Sequence, residues 1–396
     1  MDITFVTTPK LESLREEVRG WLDEELPPEY EGFQWDFEED EERWAFYHQF
    51  WRKQGAKSWL WPTWPKEYGG AEMSGAEARV VREEFARRRA GDIAGIGMSV
   101  GPAIVRLGTA EQKARFLPGM AGGEITWGEC YSEPDSGSDL ASLRTRAVPD
   151  GDEWVISGQK TFSTASHRTN WVIIFARTDP DPAVRHRGIS CFLSPRDAPG
   201  IELRPMHNLA GGRQNFVFFD GLRVPAANML GDLNKAWDQV WFGQGGAVIP
   251  RFESFDPGPE QEYEPVHAGR AWVLDELIRY CRATRRNGAY LAEDPVVQKQ
   301  LVDLAIGLEV EKMLGYEGPC GYGPHMHQAI SKEFQPEFAQ VCMEIIGPLA
   351  QIQDGPWAPL AGEIERDYRR SFGNHAGGTS QVKRMVIATR ALGLPR

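Results

Sequence analysis

Apolar residues near the start of the chain recur at three- and four-residue intervals, with Leu11, Leu14, Val18, Trp21 and Leu22 on one stripe. That spacing predicts a helix with one buried face. Thr8-Pro9 ahead of it reads as an N-cap followed by proline at the first helical position. The turn Pro65-Lys66-Glu67-Tyr68-Gly69-Gly70 interrupts the helical pattern, which resumes from Pro102 to Leu117. From about residue 124 the texture changes to short runs rich in β-branched and aromatic residues: 153–158, 171–176, 188–193 and 216–219. Asp150-Gly151, Asp179-Pro180 and Asp220-Gly221 stand beside them as turn signals. Closely spaced strands without intervening helices predict a small antiparallel barrel or sandwich and argue against a βαβ unit.

After Trp237 the helical period returns. Trp272, Leu274, Leu277, Ile278 and Cys281 form one stripe, and Val302, Leu304, Ile306, Leu308, Met313 and Leu314 lie in another long helical stretch. Between them, 243–268 is broken repeatedly by glycine and proline and reads as an inserted loop. The expected fold class is α+β, with an N-terminal helical domain over 1–122, a small antiparallel β-barrel domain over 123–232 and a C-terminal four-helix-bundle-like domain over 233–396. Tryptophans crowd the first of these (Trp21, Trp35, Trp44, Trp51, Trp59, Trp61 and Trp64), a pattern that suits aromatic packing better than a ligand cage.

Composition narrows the function. A net charge of −13 leaves no excess of lysine and arginine to neutralise phosphates along a nucleic acid. The five cysteines are scattered without a CxxC pair, so neither a disulfide framework nor a zinc site is expected. The sequence begins without a signal-peptide pattern, and no apolar run reaches the length of a membrane span. The expected setting is a reducing cytoplasm.

Five motifs then fall in order along the chain: Gly108-Thr109 with Gln112-Lys113 and Phe116-Leu117-Pro118; Tyr131-Ser132-Glu133-Pro134-Asp135-Ser136-Gly137-Ser138-Asp139-Leu140; Gly158-Gln159-Lys160-Thr161-Phe162-Ser163-Thr164; Phe218 to Pro225 followed by Asn228-Met229-Leu230-Gly231; and Gly377-Gly378-Thr379-Ser380-Gln381-Val382-Lys383-Arg384. Together they resemble the FAD-dependent acyl-CoA dehydrogenases over nearly the whole chain. The resemblance implies that Tyr131, Ser132 and Ser138 lie beside the flavin and the CoA thioester, with Ser138 also contacting substrate. It implies that Phe162, Ser163 and Thr164 cover one flavin face and bond its ring edge, with Phe162 where the family usually has tryptophan. Thr379, Ser380 and Gln381 match a flavin-contacting turn at a helix start. An acyl-CoA substrate, an electron-transferring flavoprotein as acceptor and a homo- or hetero-oligomer, dimer or tetramer, are implied likewise.

The pattern breaks in two places. In many members a glutamate that takes the substrate α-proton precedes the terminal Gly-Thr; here that residue is Gly377. A second branch carries the glutamate on the helix after the β-domain, and counting back from the helix ending at Tyr280 lands on Glu260, with Glu262, Glu264 and Glu253 as further candidates. Counting forward from Asn234 lands near Ala247, which is inert. The region that reaches a neighbouring FAD in homomeric members reads Arg285-Arg286-Asn287-Gly288, and Glu344-Ile345-Ile346-Gly347-Pro348 stands where Gln-x-x-Gly-Gly is usual. Arg285 remains the candidate for a pyrophosphate. These departures resemble the mixed assemblies that handle bulky steroid-derived acyl-CoAs. A non-catalytic subunit that binds flavin or CoA, and a fold relative with monooxygenase-like chemistry, remain open alternatives.

Overall fold

The computed structural model describes residues 8–31, 40–88, 90, 100–241, 268–315, 323–373 and 377–395. The chain divides into two compact units, one of Met1–Val81, Ala90–Asn208 and Gly212–Glu260, the other of Arg82–Arg89, Leu209–Gly211 and Gln261–Arg396. Among the described residues no helix is long and apolar enough to cross a membrane.

Helix α1 (Pro9–Glu25) starts as its sequence predicts, with the Thr8 side chain accepting from the Leu11 N–H and proline at the first helical position. Its buried stripe of Val18 and Leu22 faces inward. Helix α2 (Glu41–Ala56) is capped by Asp40. Helix α3 (Gly75–Arg87) has residues in both units. The run expected from Pro102 to Leu117 is two helices, α4 (Val100–Leu107) and α5 (Ala110–Ala121). They part at Gly108-Thr109, where Thr109 and Gln112 form a reciprocal capping box. The tryptophans are packing residues: Trp61 and Trp64 stack at 4.2 Å, and Trp44 meets Trp51 edge-on at 5.6 Å. Trp35 lies outside the described residues.

The strands are β1 (Trp127–Cys130), β2 (Arg146–Asp150), β3 (Glu153–Lys160), β4 (Trp171–Arg177), β5 (Ile189–Pro195), β6 (Ile201–His207), β7 (Arg213–Pro225) and β8 (Met229–Leu230). They form one sheet in the order β6-β7-β3-β2-β4-β5-β8, with β1 added on β4. The antiparallel barrel expected from the sequence is corrected on two points. The β1–β4 and β2–β4 ladders are parallel, and among the described residues no ladder joins β6 to β8 to close a barrel. The sheet is covered on both faces. Ile173 and Phe175 pack with Trp64, Phe116 and Trp127, while Val172 and Ile174 pack with Ile156, Phe192 and Val217. Burial on both faces is why 171–176 reads as a continuous apolar run and not an alternation. Asp220-Gly221 does not end a strand: it lies within β7, where the two residues face Ser157 alone and Gly221 takes a φ of 64°. That is a β-bulge, the extra residue relieved by glycine.

The second unit contains α6 (Ala268–Ala283), α7 (Pro295–Gly315), α8 (Gly323–Ile346), α9 (Glu363–Ser371) and α10 (Ser380–Val386). Helix α8 is central, contacting α7, α9 and α10. Its core joins Leu277, Cys281, Leu304, Phe338 and Ile345. The apolar positions of α7 divide between two faces, since Leu304 and Leu308 are buried whereas Val302, Ile306, Val310 and Met313 are exposed. Between α6 and α7, strands β9 (Arg285–Arg286) and β10 (Ala289–Tyr290) form a hairpin turned by Asn287 at φ 53° and Gly288 at φ 88°, the left-handed pair that a type I′ turn needs.

Candidate functional site

The segment 131–139 is held to the sheet by a buried ion pair. Lys160 ends β3 on the same face as buried Ile156, and its Nζ donates to Glu133 Oε1 at 2.9 Å and to the Tyr131 carbonyl at 3.0 Å. The Glu133 carboxylate also accepts the N–H groups of Arg144 at 2.6 Å and Thr145 at 2.8 Å. Burial alone would raise the Glu133 carboxyl, but the Lys160 ammonium and these backbone donors hold it below the usual carboxylate range. Glu133 and Ser136 exchange backbone hydrogen bonds, and the Ser136 hydroxyl donates to the Asp139 carbonyl, folding the segment into a tight turn. Arg177 braces the stretch behind it by donating to the Ala141 and Leu143 carbonyls.

This anchoring sets Ser132 beside the strand end, where its carbonyl accepts from the Thr161 N–H at 2.9 Å. The next residues alternate sharply. Phe162 is 53% exposed with a φ of 59°, Ser163 is buried, and Thr164 is exposed. A phenylalanine in the left-handed region is uncommon and strained. Two backbone hydrogen bonds between Ser163 and Asn215, with a third from Asn215 Nδ2 to the Ser163 carbonyl, hold the chain in that shape. The Ser163 hydroxyl donates to the Glu129 carbonyl at 2.7 Å, so it is turned inward, whereas the Thr164 hydroxyl faces out and accepts from Gln214 Nε2 at 3.3 Å. Tyr131 is partly buried, edge-on to Phe175 at 4.8 Å.

These residues fit a flat aromatic cofactor with a polar rim. Phe162 presents an open aromatic ring, and the hydroxyls of Ser132 and of exposed Ser138 make no hydrogen bond among the described residues. Stacking on an aromatic face and hydrogen bonding at a ring edge are the two contacts that a flavin requires.

In the second unit Gly377 and Gly378 take left-handed φ values of 73° and 98°. Thr379 then caps α10, its Oγ1 accepting the Val382 N–H at 3.2 Å. Ser380 is buried and Gln381 exposed. A Cβ added at Gly377 would meet nothing within 4 Å, so no side chain and no crowding occupy the family's carboxylate position. Arg285 is exposed, its guanidinium over the Tyr290 ring at 4.3 Å. Its neighbour Arg286 instead donates to the carbonyls of Ile345 and Ile346, stabilising the end of α8. Glu260, with Glu253, Glu262 and Glu264, lies outside the described residues.

Two residues were not singled out from the sequence. Lys160 carried a signal, being a lysine in phase with Ile156 along a strand. Lys383 carried another, lying between Ser380 and Val386 on the buried face of α10.

The N-terminal domain model of acyl-CoA dehydrogenase matches residues 8–124, the middle-domain model 128–220 and the C-terminal domain model 267–392. Acyl-CoA dehydrogenase FadE26 of Mycobacterium tuberculosis is 33% identical over 414 residues, covering 98% of each chain. Acyl-CoA dehydrogenase IpdE1 of the same organism is 31% identical over 404 residues, again covering 98% of each. The solved ChsE4-ChsE5 complex from Mycobacterium tuberculosis matches with a TM-score of 0.85 at 31% identity over the whole of both chains. The Tcur3481-Tcur3483 steroid ACAD matches with a TM-score of 0.81 at 28% identity, also over the whole of both. The chain belongs to the acyl-CoA dehydrogenase family, flavin oxidoreductases that act on CH–CH groups with FAD as cofactor.

Proposed function

We propose that this chain is the dehydrogenase of a bulky, steroid-type acyl-CoA, forming an α,β-unsaturated thioester and acting within a heteromeric assembly. FAD supplies the acceptor for the hydride that leaves the substrate β-carbon. The chain's own residues bind and orient. Phe162 stacks on the ring system, Tyr131, Ser132 and Thr164 line its edge, and Ser138 meets the thioester. Thr379, Ser380, Gln381 and Arg285 are assigned to the rest of the cofactor. The observation that carries this reading is the exposed Phe162 ring, kept outward by a strained backbone that would not persist without surrounding restraint.

The reaction also needs a carboxylate, ionised near neutral pH and shielded from water, to take the α-proton. Gly377 cannot supply it, and Glu260 is assigned that role. Support for a heteromer comes from the two solved relatives, each of them named as a pair of proteins, and from the exposed apolar ridge of α7. An electron-transferring flavoprotein is the proposed electron acceptor.

Anaerobic mixing with a panel of acyl-CoA esters tests the reaction. Bleaching of the flavin absorbance, together with an enoyl product, is expected. Oxygen-dependent product without bleaching would replace dehydrogenation by monooxygenase-like chemistry. Glu260→Gln should retain flavin and slow bleaching by at least about 10²-fold; an unchanged rate removes Glu260 from the mechanism. A second reading, a flavin- or CoA-binding subunit without chemistry, is favoured by Gly377 alone. Bound flavin that no ester bleaches would establish it.

A further inference from the structure

Helix α10 turns Ser380, Lys383 and Val386 inward, and Lys383 is only 4% exposed. Among the described residues its ammonium makes no hydrogen bond and meets no carboxylate. The side chain folds back on the preceding turn, so that a Cβ on Gly378 would lie 3.3 Å from Lys383 Cε and 3.6 Å from Nζ. Other cations surround it. Lys332 and His325 approach from α8, and Arg390 follows α10 by one turn. The neighbouring Glu333 is engaged by Arg384 at 2.5 Å.

A lysine that only filled space would be replaced at less cost by methionine, because a buried charge without a counter-charge is strongly disfavoured. Burial, and then repulsion from Lys332, pull the Lys383 ammonium down to about 8, leaving it largely charged near neutral pH. Cations converging on one buried ammonium favour an anion of more than one negative charge over a single carboxylate.

We propose that Lys383, with Lys332 and Arg390 beside it, is a receptor for the phosphate groups of a bound nucleotide, supplied either by the FAD pyrophosphate or by the phosphates of CoA. The assignment rests on the flavoenzyme reading above. No residue of the matched motifs other than Lys383 itself is needed for it, and Gly378 contributes by having no side chain against the ammonium.

The test compares the full-length, FAD-loaded chain with Lys383→Met and Lys383→Arg. FAD release is followed by filtration and absorbance, CoA affinity by calorimetry, and thermal stability with and without FAD. Lys383→Met should weaken FAD or CoA binding by at least about tenfold, equal to 1.4 kcal/mol, while Lys383→Arg keeps most of it. Loss confined to FAD identifies the pyrophosphate, and loss confined to CoA identifies the substrate. The FAD-free Lys383→Met protein should melt higher than wild type, because an unpaired buried charge has gone. Unchanged affinity for both ligands overturns the proposal. So does a parallel fall in both melting temperatures, which marks a packing role. If the wild type binds neither FAD nor CoA, the dehydrogenase reading fails first, and inorganic pyrophosphate becomes the probe. Stabilisation of the wild type but not of Lys383→Met then sustains the site; its absence ends it.

Discussion

Lys160 and Glu133 meet at 2.9 Å where neither reaches solvent, Lys160 being 0% and Glu133 7% exposed. The pair ties the 131–139 turn to the end of β3. Replacing Lys160 by methionine leaves a carboxylate buried with only the Arg144 and Thr145 N–H groups for company. The expected cost is about 3–5 kcal/mol, measured as a shift in urea denaturation, with a matching loss of bound flavin. The double variant Lys160→Met/Glu133→Gln should recover part of that stability, since no net charge then stays buried. A single-variant cost below about 1 kcal/mol would mean that the pair is not what fixes the turn.

Phe162 separates folding from function. Its left-handed backbone costs about 1–2 kcal/mol in a non-glycine residue, whereas a glycine there adds chain entropy to the unfolded state worth roughly 0.5–1 kcal/mol. Phe162→Gly should therefore leave the melting temperature nearly unchanged or slightly raised. Flavin retention should nevertheless drop, because the stacking ring has gone. Phe162→Trp should restore it. Equal flavin occupancy in all three proteins would show that the ring does not touch the cofactor.

His325 gives the protein a pH dependence of known sign. Burial, followed by repulsion from Lys383 and Arg390, lowers the imidazole from its ordinary 6.5 to about 4. The unfolded chain takes up the proton first. The stability contribution is thus complete above about 6.5 and declines as pH falls toward about 4. Urea midpoints at several pH values between 7 and 5 should show this slope in the wild type and a shallower one in His325→Gln. Identical slopes would assign the acid sensitivity to other groups.

The exposed face of α7 is expected to be an assembly surface. Ile306 is 56% exposed amid Val302, Val310 and Met313, at spacings of three and four residues. Ile306→Asp should reduce the mass measured by light scattering to that of a smaller species while the circular dichroism spectrum stays helical. An unaltered mass would move the interface elsewhere.

Much of this architecture was legible before any coordinates. Thr8-Pro9 marked a helix start because capping is local, and Leu11 to Leu22 marked its buried face because the helical period is regular. What was hidden depended on distant partners. The strand Ile201–His207 contains a proline and is half solvated, so its place in the sheet is set by pairing with β7 and not by its own composition. Asp220-Gly221 has the residues of a turn, yet the bulge opposite Ser157 carries the strand through. The site was legible as a set of motifs, and Phe162 and Ser138 stand outward as such residues must to meet a ligand. Ser163, read from the same motif, faces inward because Asn215 and Glu129 claim its backbone and hydroxyl. Nothing in the local spacing of Glu133 and Lys160, 27 residues apart, announced that they would pair.

The ridge of Val302, Ile306, Val310 and Met313 also bears on how the chain must be made. A solvent-facing row of aliphatic side chains is tolerable only while something shields it. Copies synthesised in excess of that shield would stick to one another, so matched expression of the two products sets the yield of soluble material. Stoichiometry, and not the folding of this chain alone, is then the quantity that a cell, or an expression experiment, has to balance.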